Sequence, residues 1–285
     1  MVLFCSLGIG LAVMPLYAGA GLTPVKTENY SLYVDKEKIN TIYITSDSAH
    51  LDIAQLTIKL LPENDFIAYI TLPDGGNIVI NTGSPSRVTA VQNFISKEIT
   101  EMGTEYDLMK LFGWKPRIDW LIITANLFTN TGGLSLISKS FEIKEFMTPV
   151  QEELPVPPKA NNTKIGENKK IDLLQVVSPV ELNILGLTRA KMSKNCLILK
   201  LSYQKYSFSF LLDLTKEDQE VLLREYPQFI DATVLFSNVP LIQDILQKTT
   251  SLFVINKPQG IGFITDGNSL ATQAAEVLSS LPTEK

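Results

Sequence analysis

The residues best placed for chemistry lie in the stretch 118–134, where a predicted buried strand gives way to a turn. Trp120–Thr124 is almost wholly apolar and follows Asp119, which is typical of a strand buried on both faces. Small polar residues and the pair Gly132-Gly133 come next and indicate a turn into another element. Ligands in layered α/β proteins bind where buried strands end, so we expect a site here. The turn nevertheless contains no residue that commonly binds a transition metal or acts as a general base.

Histidine and cysteine are too scarce for several kinds of catalytic site. The one histidine, His50, excludes a multi-histidine zinc centre and is interpreted as an ordinary surface or strand-edge residue. A Ser-His-Asp triad would have to use it, and the chain has no Gly-x-Ser-x-Gly motif. Cys5 and Cys196 provide neither a disulfide framework nor a Cys-x-x-Cys metal site. We therefore predict no metal and no other cofactor.

Composition indicates a globular protein without broad affinity for nucleic acid. The 285 residues are 45% hydrophobic and 19% charged, which allows a substantial core. The net charge of −5 argues against general binding to polyanions but is compatible with a local basic groove. Lys159, Lys164, Lys169 and Lys170 make one polar segment mildly basic. This segment is either a solvated loop or a phosphate-contacting one.

Residues 1–22 are predicted to be a hydrophobic membrane helix or a signal peptide. Residues 2–22 contain no charged side chain, and as a helix they would span roughly 30 Å, about a bilayer core. Residues 18–20 (A-G-A) suit signal cleavage, but no Lys or Arg precedes the run, so an anchor is favoured over a cleaved signal or a buried helix. Residues 23–40 are predicted to be a tether that holds a domain of residues 41–285 outside the bilayer. A secreted or periplasmic domain after cleavage is the alternative.

Strands and helices are predicted to alternate along the domain. The turn P-D-G-G at 73–76 predicts a hairpin, and Thr215 with Asp218 has the spacing of a helical capping box. Residues 149–170 lack periodicity and are predicted to be a long surface loop. Two strand-rich halves with helices between them favour one α/β (α+β) domain of two packed sheets flanked by helices. The predicted strands are 41–45, 51–61, 66–72, 77–81, 120–124, 146–148, 196–203, 206–212, 234–236 and 252–255, and the predicted helices are 84–101, 134–138, 215–225, 241–248 and 270–279.

Several segments together resemble the metallo-β-lactamase-like fold, and specifically the C-terminal soluble domain of ComEC-type DNA-internalisation competence proteins. The main segments are 72–83 (L-P-D-G-G-N-I-V-I-N-T-G), 118–124 (I-D-W-L-I-I-T) and 131–134 (T-G-G-L). Residues 51–55 (L-D-I-A-Q) resemble the Leu-Asp-Val-Gly-Gln opening of that domain, and 195–201 (N-C-L-I-L-K-L) resemble its Asn-Ser-Leu-Val-Leu strand. The resemblance implies a four-layer αββα sandwich, and a preceding hydrophobic span also suits the family.

The sequence departs from this family at the metal ligands. The family motif Thr-His-x-His-x-Asp-His, followed by one residue and Gly-Gly, corresponds to residues 124–133 (T-A-N-L-F-T-N-T-G-G). Ala and Leu have no donor atom, and Thr and Asn are weak neutral donors. Asp213 falls where the family has a metal-bridging carboxylate, but a single carboxylate cannot assemble a two-metal hydrolytic centre. The positions that correspond to the family's site form a predicted degenerate-site pocket of Asn81, Ala125, Leu127, Thr129, Asn130, Asp213, Ser237 and Asn238.

The role of these positions stays open at the level of sequence. Residues 125–130 are either a remodelled binding pocket or a strand-end turn kept for folding. Asp213 is either a cap or turn residue before the helix at Thr215, or a weak Ca²⁺ or Mg²⁺ contact. Gly132-Gly133 is expected to let the backbone pass close to the next helix.

The hypothesis that follows is a membrane-tethered, catalytically inactive metallo-β-lactamase-like domain similar to the ComEC C-terminal domain. Its role would be binding or scaffolding in DNA uptake, and its partners would be the membrane, through residues 2–22, and DNA or proteins of the competence machinery. One alternative is an active hydrolase or phosphodiesterase with an atypical site around Asp213, Asn81 and Asn130. The other is a structural, partner-binding domain unrelated to DNA.

Overall fold

The computed structural model describes most of the chain between residues 55 and 274, together with three short strands before it. The described ranges are 22–26, 31–35, 42–45, 55–61, 65–101, 115–150, 153–166, 169–172, 180–187, 195–249, 251, 253–255 and 261–274. The hydrophobic helix predicted at 1–22 lies outside these ranges except for its last residue, and so do His50 and Cys5. Among the described residues, no helix has the length and apolar character needed to cross a membrane.

The larger sheet has eight strands. They are β4 (Leu56–Leu60), β5 (Ala68–Thr71), β6 (Asn77–Ile80), β7 (Arg117–Ile122), β8 (Glu142–Pro149), β9 (Asn161–Ile165), β16 (Ile261–Thr265) and β17 (Leu270–Ala274). Their order is β17-β16-β4-β5-β6-β7-β8-β9. β5 and β6 form the predicted hairpin, and β6, β7, β8 and β9 run parallel. The parallel strands therefore end at the same edge of the sheet.

The second sheet has six strands. They are β10 (Lys169–Asp172), β11 (Val180–Leu187), β12 (Cys196–Tyr203), β13 (Tyr206–Leu211), β14 (Val234–Ser237) and β15 (Phe253–Ile255), in this order across the sheet. β10 to β13 are antiparallel, whereas β13, β14 and β15 are parallel. This sheet likewise has a set of parallel strands whose carboxyl ends lie together.

Within the described part of the chain, five α-helices accompany the two sheets. They are α1 (Val88–Glu101), α2 (Phe128–Thr131), α3 (Leu134–Ser140), α4 (Lys216–Glu225) and α5 (Gln243–Lys248). α1 and α3 supply Val91, Ile95 and Ile137 to a cluster with Val79 and Leu121 on the larger sheet. α4 and α5 pack in the same way on the second sheet. Each sheet is covered by helices on its outer face.

The two inner sheet faces form the central core. Ile78 and Ile80 of β6 point into it, while Val79 between them points to the helices. On the facing sheet, Phe236 stacks on Phe210 with ring centroids 4.7 Å apart. Because alternate side chains of one strand reach different clusters, the central strands are apolar on both faces, as their sequences predict. The layers are helix, sheet, sheet and helix, so the predicted αββα sandwich is confirmed.

A separate sheet of three strands precedes the sandwich. It consists of β1 (Leu22–Lys26), β2 (Ser31–Asp35) and β3 (Ile42–Thr45), paired in order and antiparallel. β3 agrees with the strand predicted at 41–45. β1 and β2 are secondary structure that the predicted tether at 23–40 did not include. The proposed anchoring role of this segment stays a prediction.

Two sequence predictions are wrong. The surface loop predicted at 149–170 contains β9 and the first two residues of β10. β9 is an edge strand with exposed Asn161 and Asn162, so its sequence has no apolar alternation that would predict a strand. The helix predicted from Leu270 is a strand over residues 270–274, since β17 pairs antiparallel with β16 and buries Leu270 in the central core. Its Ala- and Gln-rich sequence favours a helix, but the pairing and burial outweigh that propensity.

Candidate functional site

The site lies where the parallel strands of both sheets end. Asn81 directly follows β6 and Thr124 follows β7, both in the larger sheet. Asp213 and Asn238 follow β13 and β14 in the second sheet. These residues and Asn130 of α2 are joined by side-chain hydrogen bonds, and we call the five together the Asp213 cluster. All but Thr124 belong to the degenerate-site pocket that the family resemblance implies.

Asn81 is held completely inside the domain. It has no exposed surface, and its φ of 63° is in the left-handed region that asparagine tolerates better than most residues. Its Oδ1 accepts hydrogen bonds from Thr124 N at 2.9 Å and Thr124 Oγ1 at 3.1 Å, and its Nδ2 donates to Phe66 O at 3.2 Å. A backbone donor and a backbone acceptor thus fix the orientation of the amide. Asn81 joins the ends of β6 and β7.

Asp213 is the acceptor on which the cluster converges. Asn130 Nδ2 donates to Asp213 Oδ2 and Asn238 Nδ2 donates to Asp213 Oδ1, each at 2.7 Å. Asp213 N donates in turn to Asn238 Oδ1 at 2.7 Å, which fixes the orientation of that amide too. The backbone of Asp213 is left-handed, with φ 58°, and its side chain is half-buried. Hydrogen bonds to a carboxylate are stronger than those between neutral groups.

Thr124 and Asn130 complete the connection between the sheets. Asn130 Nδ2 also donates to Thr124 Oγ1 at 3.1 Å. The Thr124 hydroxyl has one hydrogen and two acceptors within reach, Asn81 Oδ1 at 3.1 Å and Asp213 Oδ2 at 3.4 Å. The backbone of Asn130 is fixed as well, because Thr82 N and Thr82 Oγ1 both donate to Asn130 O. Asn130 is 2% exposed, so it has little freedom to move.

Four predicted pocket residues do not join the cluster. Ala125 is 2% exposed and packs, with Leu127, in the apolar cluster on the outer side of the second sheet. Ser237 is buried and its Oγ donates to Val239 O at 2.7 Å. Thr129 is exposed and reaches the cluster only indirectly, by donating to Asn130 Oδ1 at 3.2 Å. Side chains alternate in direction along an extended chain, so Ala125 and Ser237 point away from the cluster that Thr124 and Asn238 face.

Asp213 does not cap the helix that follows it. The N-cap of α4 is Thr215, whose side chain accepts a hydrogen bond from Asp218 N while Asp218 Oδ2 accepts one from Thr215 N. The predicted capping box is therefore confirmed, with Asp in the position usually held by Glu or Gln. Asp213 therefore lies in the turn before the helix, with φ 58°, and is not its N-cap.

The pair Gly132-Gly133 packs against the segment that follows β6. A Cβ on Gly132 would lie 2.2 Å from Pro85 Cδ, and one on Gly133 would lie 2.2 Å from Thr82 O. Both distances are far below contact, so these positions require glycine. The predicted close approach is real, but it is to residues 82–88 rather than to the following helix.

A divalent metal centre does not fit the Asp213 cluster. Asn130 and Asn238 direct amide hydrogens at both carboxylate oxygens of Asp213, and an N–H group repels a cation rather than binding it. The remaining family positions near the site provide aliphatic carbon at Ala125 and Leu127. Within the described residues there is also no group of three or more His, Cys, Asp or Glu side chains that is arranged to hold a metal ion.

The titratable groups with shifted pKa values lie elsewhere in the domain. Burial raises the pKa of Tyr69, and the nearby carboxylates Glu98 and Asp119 raise it further. Burial lowers the pKa of Lys200, against an opposing effect of Asp231. Lys200 Nζ donates to the backbone oxygens of Gln228 and Asp231, so it supports a turn of the chain. Neither group adjoins the Asp213 cluster in the sheets.

Comparison with known proteins adds little to this geometry. No family model matches the chain, and no curated protein matches it. Among solved structures, the chain is similar to CmlA, a diiron beta-hydroxylase from Streptomyces venezuelae, with 10% identity and a TM-score of 0.42 over 80% of this chain and 48% of that one. A mutant of the CmlA beta-hydroxylase gives 10% identity and a TM-score of 0.35 over 66% of this chain and 36% of that one. The chain spans less than half the length of either, and nothing about its chemistry follows from them.

The layers define the class of protein. Two mixed sheets face each other, helices cover both outer faces, and a polar cluster joins the carboxyl ends of parallel strands from both sheets. This is a four-layer αββα sandwich. Its polar cluster consists of amides, a hydroxyl and one carboxylate.

Proposed function

We propose that this chain is a catalytically inactive metallo-β-lactamase-like domain that acts by binding or scaffolding. The observation that supports the proposal is the pairing of both Asp213 oxygens with the amides of Asn130 and Asn238, each at 2.7 Å. Hydrolysis on this fold needs a metal-activated water, and these donors compete directly with a cation for the carboxylate. The absence of histidine from the corresponding positions of the sequence supports the same conclusion.

The cellular setting of the proposal rests on the sequence. The resemblance to the ComEC C-terminal domain and the uncharged residues 2–22 support a membrane-tethered domain outside the bilayer, with a role in DNA uptake. Its partners would be DNA or proteins of the competence machinery. Lys159 and Lys164 are exposed and offer a small basic surface at the β9 edge of the larger sheet.

Metal content and hydrolysis test the inactive site together. The full chain, purified in detergent, is supplied with zinc, manganese or iron, desalted, and assayed for bound metal and for hydrolysis of bis(p-nitrophenyl) phosphate and of single-stranded DNA. We expect well under one metal ion per chain and no turnover above a blank. About one or two tightly bound ions per chain, or metal-dependent hydrolysis, would contradict the proposal.

The hydrolase alternative makes a different prediction in the same assay. Asp213 is half-buried rather than fully enclosed, which is the observation in favour of a residual catalytic role. Activity that is present in the natural chain and abolished by Asp213→Ala would support this alternative. Activity that survives Asp213→Ala would be assigned to a contaminant or to another site.

DNA binding separates the proposed role from a partner-binding role unrelated to DNA. We expect single-stranded DNA to bind with an affinity that falls as salt rises, and the double variant Lys159→Gln/Lys164→Gln to reduce the logarithmic salt slope by about 1.4. Lys216→Gln, at an exposed lysine on α4, is the matched control and should leave the slope unchanged. Fluorescence anisotropy at several salt concentrations measures this. Failure to bind DNA at low salt would favour the DNA-independent role.

A further inference from the structure

We infer that the Asp213 cluster is a hydrogen-bonded clasp that fastens the two sheets at the edge where their parallel strands end. Asn81, Thr124 and Asn130 belong to the side of the larger sheet, and Asp213 and Asn238 belong to the second sheet. The bond from Asn130 Nδ2 to Asp213 Oδ2 crosses between them at 2.7 Å. The inference shares the metal-free site with the proposed function but requires no binding partner.

Each side of the clasp is also fixed by hydrogen bonds of its own. On the larger-sheet side, the buried Asn130 is fixed by two hydrogen bonds from Thr82 to its carbonyl oxygen. On the second-sheet side, Asp213 and Asn238 exchange two hydrogen bonds, one through the backbone of Asp213 and one through its carboxylate. The carboxylate is therefore already oriented toward the Asn130 amide, and little side-chain entropy is lost when the bond forms.

The clasp also supports an unfavourable backbone conformation. Asp213 has φ 58°, which costs a non-glycine residue free energy unless surrounding contacts hold it. The hydrogen bond from its own N–H to Asn238 Oδ1 supplies such a contact. A neighbouring backbone contact between the sheets, from Leu197 N to Thr124 O at 2.7 Å, lies beside the clasp. The hydrogen bond between Asn130 and Asp213 is thus one of two neighbouring hydrogen bonds that join the sheets.

A donor–acceptor exchange tests the clasp directly. Asp213→Asn places an amide hydrogen opposite an amide hydrogen, and Asn130→Asp places two carboxylates side by side. We expect each single variant to raise the equilibrium constant for unfolding in urea roughly 10- to 100-fold. The double variant Asn130→Asp/Asp213→Asn restores one donor opposite one acceptor, so it should recover most of the stability lost by the less stable single variant.

The result is decisive even if a single variant does not fold. A folded double variant beside an unfolded single variant is the expected rescue, and a double variant that is no more stable than the worse single variant overturns the inference. Asn162→Asp makes the same chemical change at an exposed position and should change the unfolding equilibrium less than threefold.

A metal titration tests the metal-free site that this inference shares with the proposed function, and partner binding separates the two. Addition of equimolar zinc or manganese should leave the Tm of the natural chain unchanged to within about 1 °C, because a clasped carboxylate has no site for the ion. A rise in Tm with metal would overturn both the clasp and the inactive site. Loss of DNA binding or of any other partner, with rescue intact in the exchange experiment, would contradict the proposed function and leave the clasp standing.

Discussion

Asn81 and Asp213 have the same unusual backbone geometry at equivalent places in the two sheets. Each follows the end of a parallel strand, and their φ values are 63° and 58°. Asn and Asp tolerate this region because short polar side chains can hydrogen-bond nearby backbone. Asp213 does so through Asn238, and Asn81 through the backbone of Thr124 and Phe66. The turn that redirects the chain after each strand thus also aims a polar side chain into the cluster.

At the scale of residues, the sequence predicted which strand ends meet but not which way each side chain points. Asn81, Asn130, Asp213 and Asn238 belong to one hydrogen-bonded cluster. Ala125 and Ser237 stand next to cluster residues but face elsewhere, because side-chain direction alternates along the chain. A sequence motif includes two adjacent residues alike, but only one of the two side chains points into the site in the folded chain.

The close approach of Gly133 to Thr82 O makes its substitution strongly destabilising. In Gly133→Ala, the new Cβ would lie 2.2 Å from a backbone oxygen that cannot retreat without moving the chain after β6. We expect the free energy of unfolding to fall by about 2–4 kcal/mol, measured by urea denaturation. Gly75→Asn is the control, because no atom lies within 4 Å of a Cβ there and asparagine tolerates the left-handed backbone (φ 84°) better than most residues, so only a small loss is expected. Similar losses in both variants would contradict this account.

At the scale of elements, local signals succeeded where they were chemically specific. The hairpin turn is closed by bonds from Gly75 N to Leu72 O and from Leu72 N to Gly76 O, as the P-D-G-G sequence predicts. The helix predicted at 84–101 begins as a 3₁₀ turn at Pro85–Arg87 and continues as α1. β9 and β17 were missed because edge pairing needs little apolar alternation, so their strand character comes from neighbours rather than from their own residues.

The capping box of α4 should contribute measurably to stability. Thr215→Ala removes the acceptor for Asp218 N and leaves a helix N–H without its side-chain partner. We expect a loss of about 1 kcal/mol in the free energy of unfolding. Thr215→Ser keeps the hydroxyl and should lose less than half as much. Equal losses in the two variants would show that the methyl group matters instead of the cap.

Asp266, in the turn between β16 and β17, should make the free energy of unfolding depend on pH. Burial acts to raise the pKa of Asp266, but hydrogen bonds from the backbone of Ser269 and Asn268 and from the Ser269 side chain outweigh it and lower the pKa. A carboxyl whose pKa is lowered by folding stabilises the protein above its unfolded pKa, near 3.9, and loses that contribution as the pH falls through its folded pKa.

Asp266→Ala tests this linkage. The variant should be less stable than the natural chain at pH 6, since the three donors lose their acceptor. The difference should shrink as the pH is lowered below about 4, because the natural carboxyl then becomes protonated as well. Urea unfolding of both chains across this pH range measures the difference. If the difference in stability between the two chains increased as the pH fell, folding would not lower the pKa of Asp266.

At the scale of the whole molecule, the two sheets are joined by an aromatic core as well as by the clasp. Phe236 stacks on Phe210 and meets Phe66 and Phe263 edge-on, with centroids 6.0 and 5.5 Å away. These four rings come from both sheets, so they belong to the interface between layers. The sandwich was predictable because nearly every central strand is apolar on both faces, and only layers on either side can bury both.

The aromatic core should account for more stability than any single polar contact. Phe236→Ala removes a fully buried ring and leaves a cavity between the sheets, with an expected loss of about 3–5 kcal/mol. Phe128→Ala is the control, since that ring is 72% exposed and its loss should cost less than about 0.5 kcal/mol. Urea denaturation followed by circular dichroism measures both. Comparable losses would contradict the layer arrangement.

The packing of Ala125 and Leu127 determines what a metal ligand placed at these positions would meet. Ala125 is buried and Leu127 is partly buried, and both belong to the apolar packing on the second sheet. A histidine introduced at either position would therefore enter an apolar environment, where an imidazole without a hydrogen-bonding partner costs stability. Metal binding could not be added to these strand ends by one substitution, because the surrounding core would have to change with it.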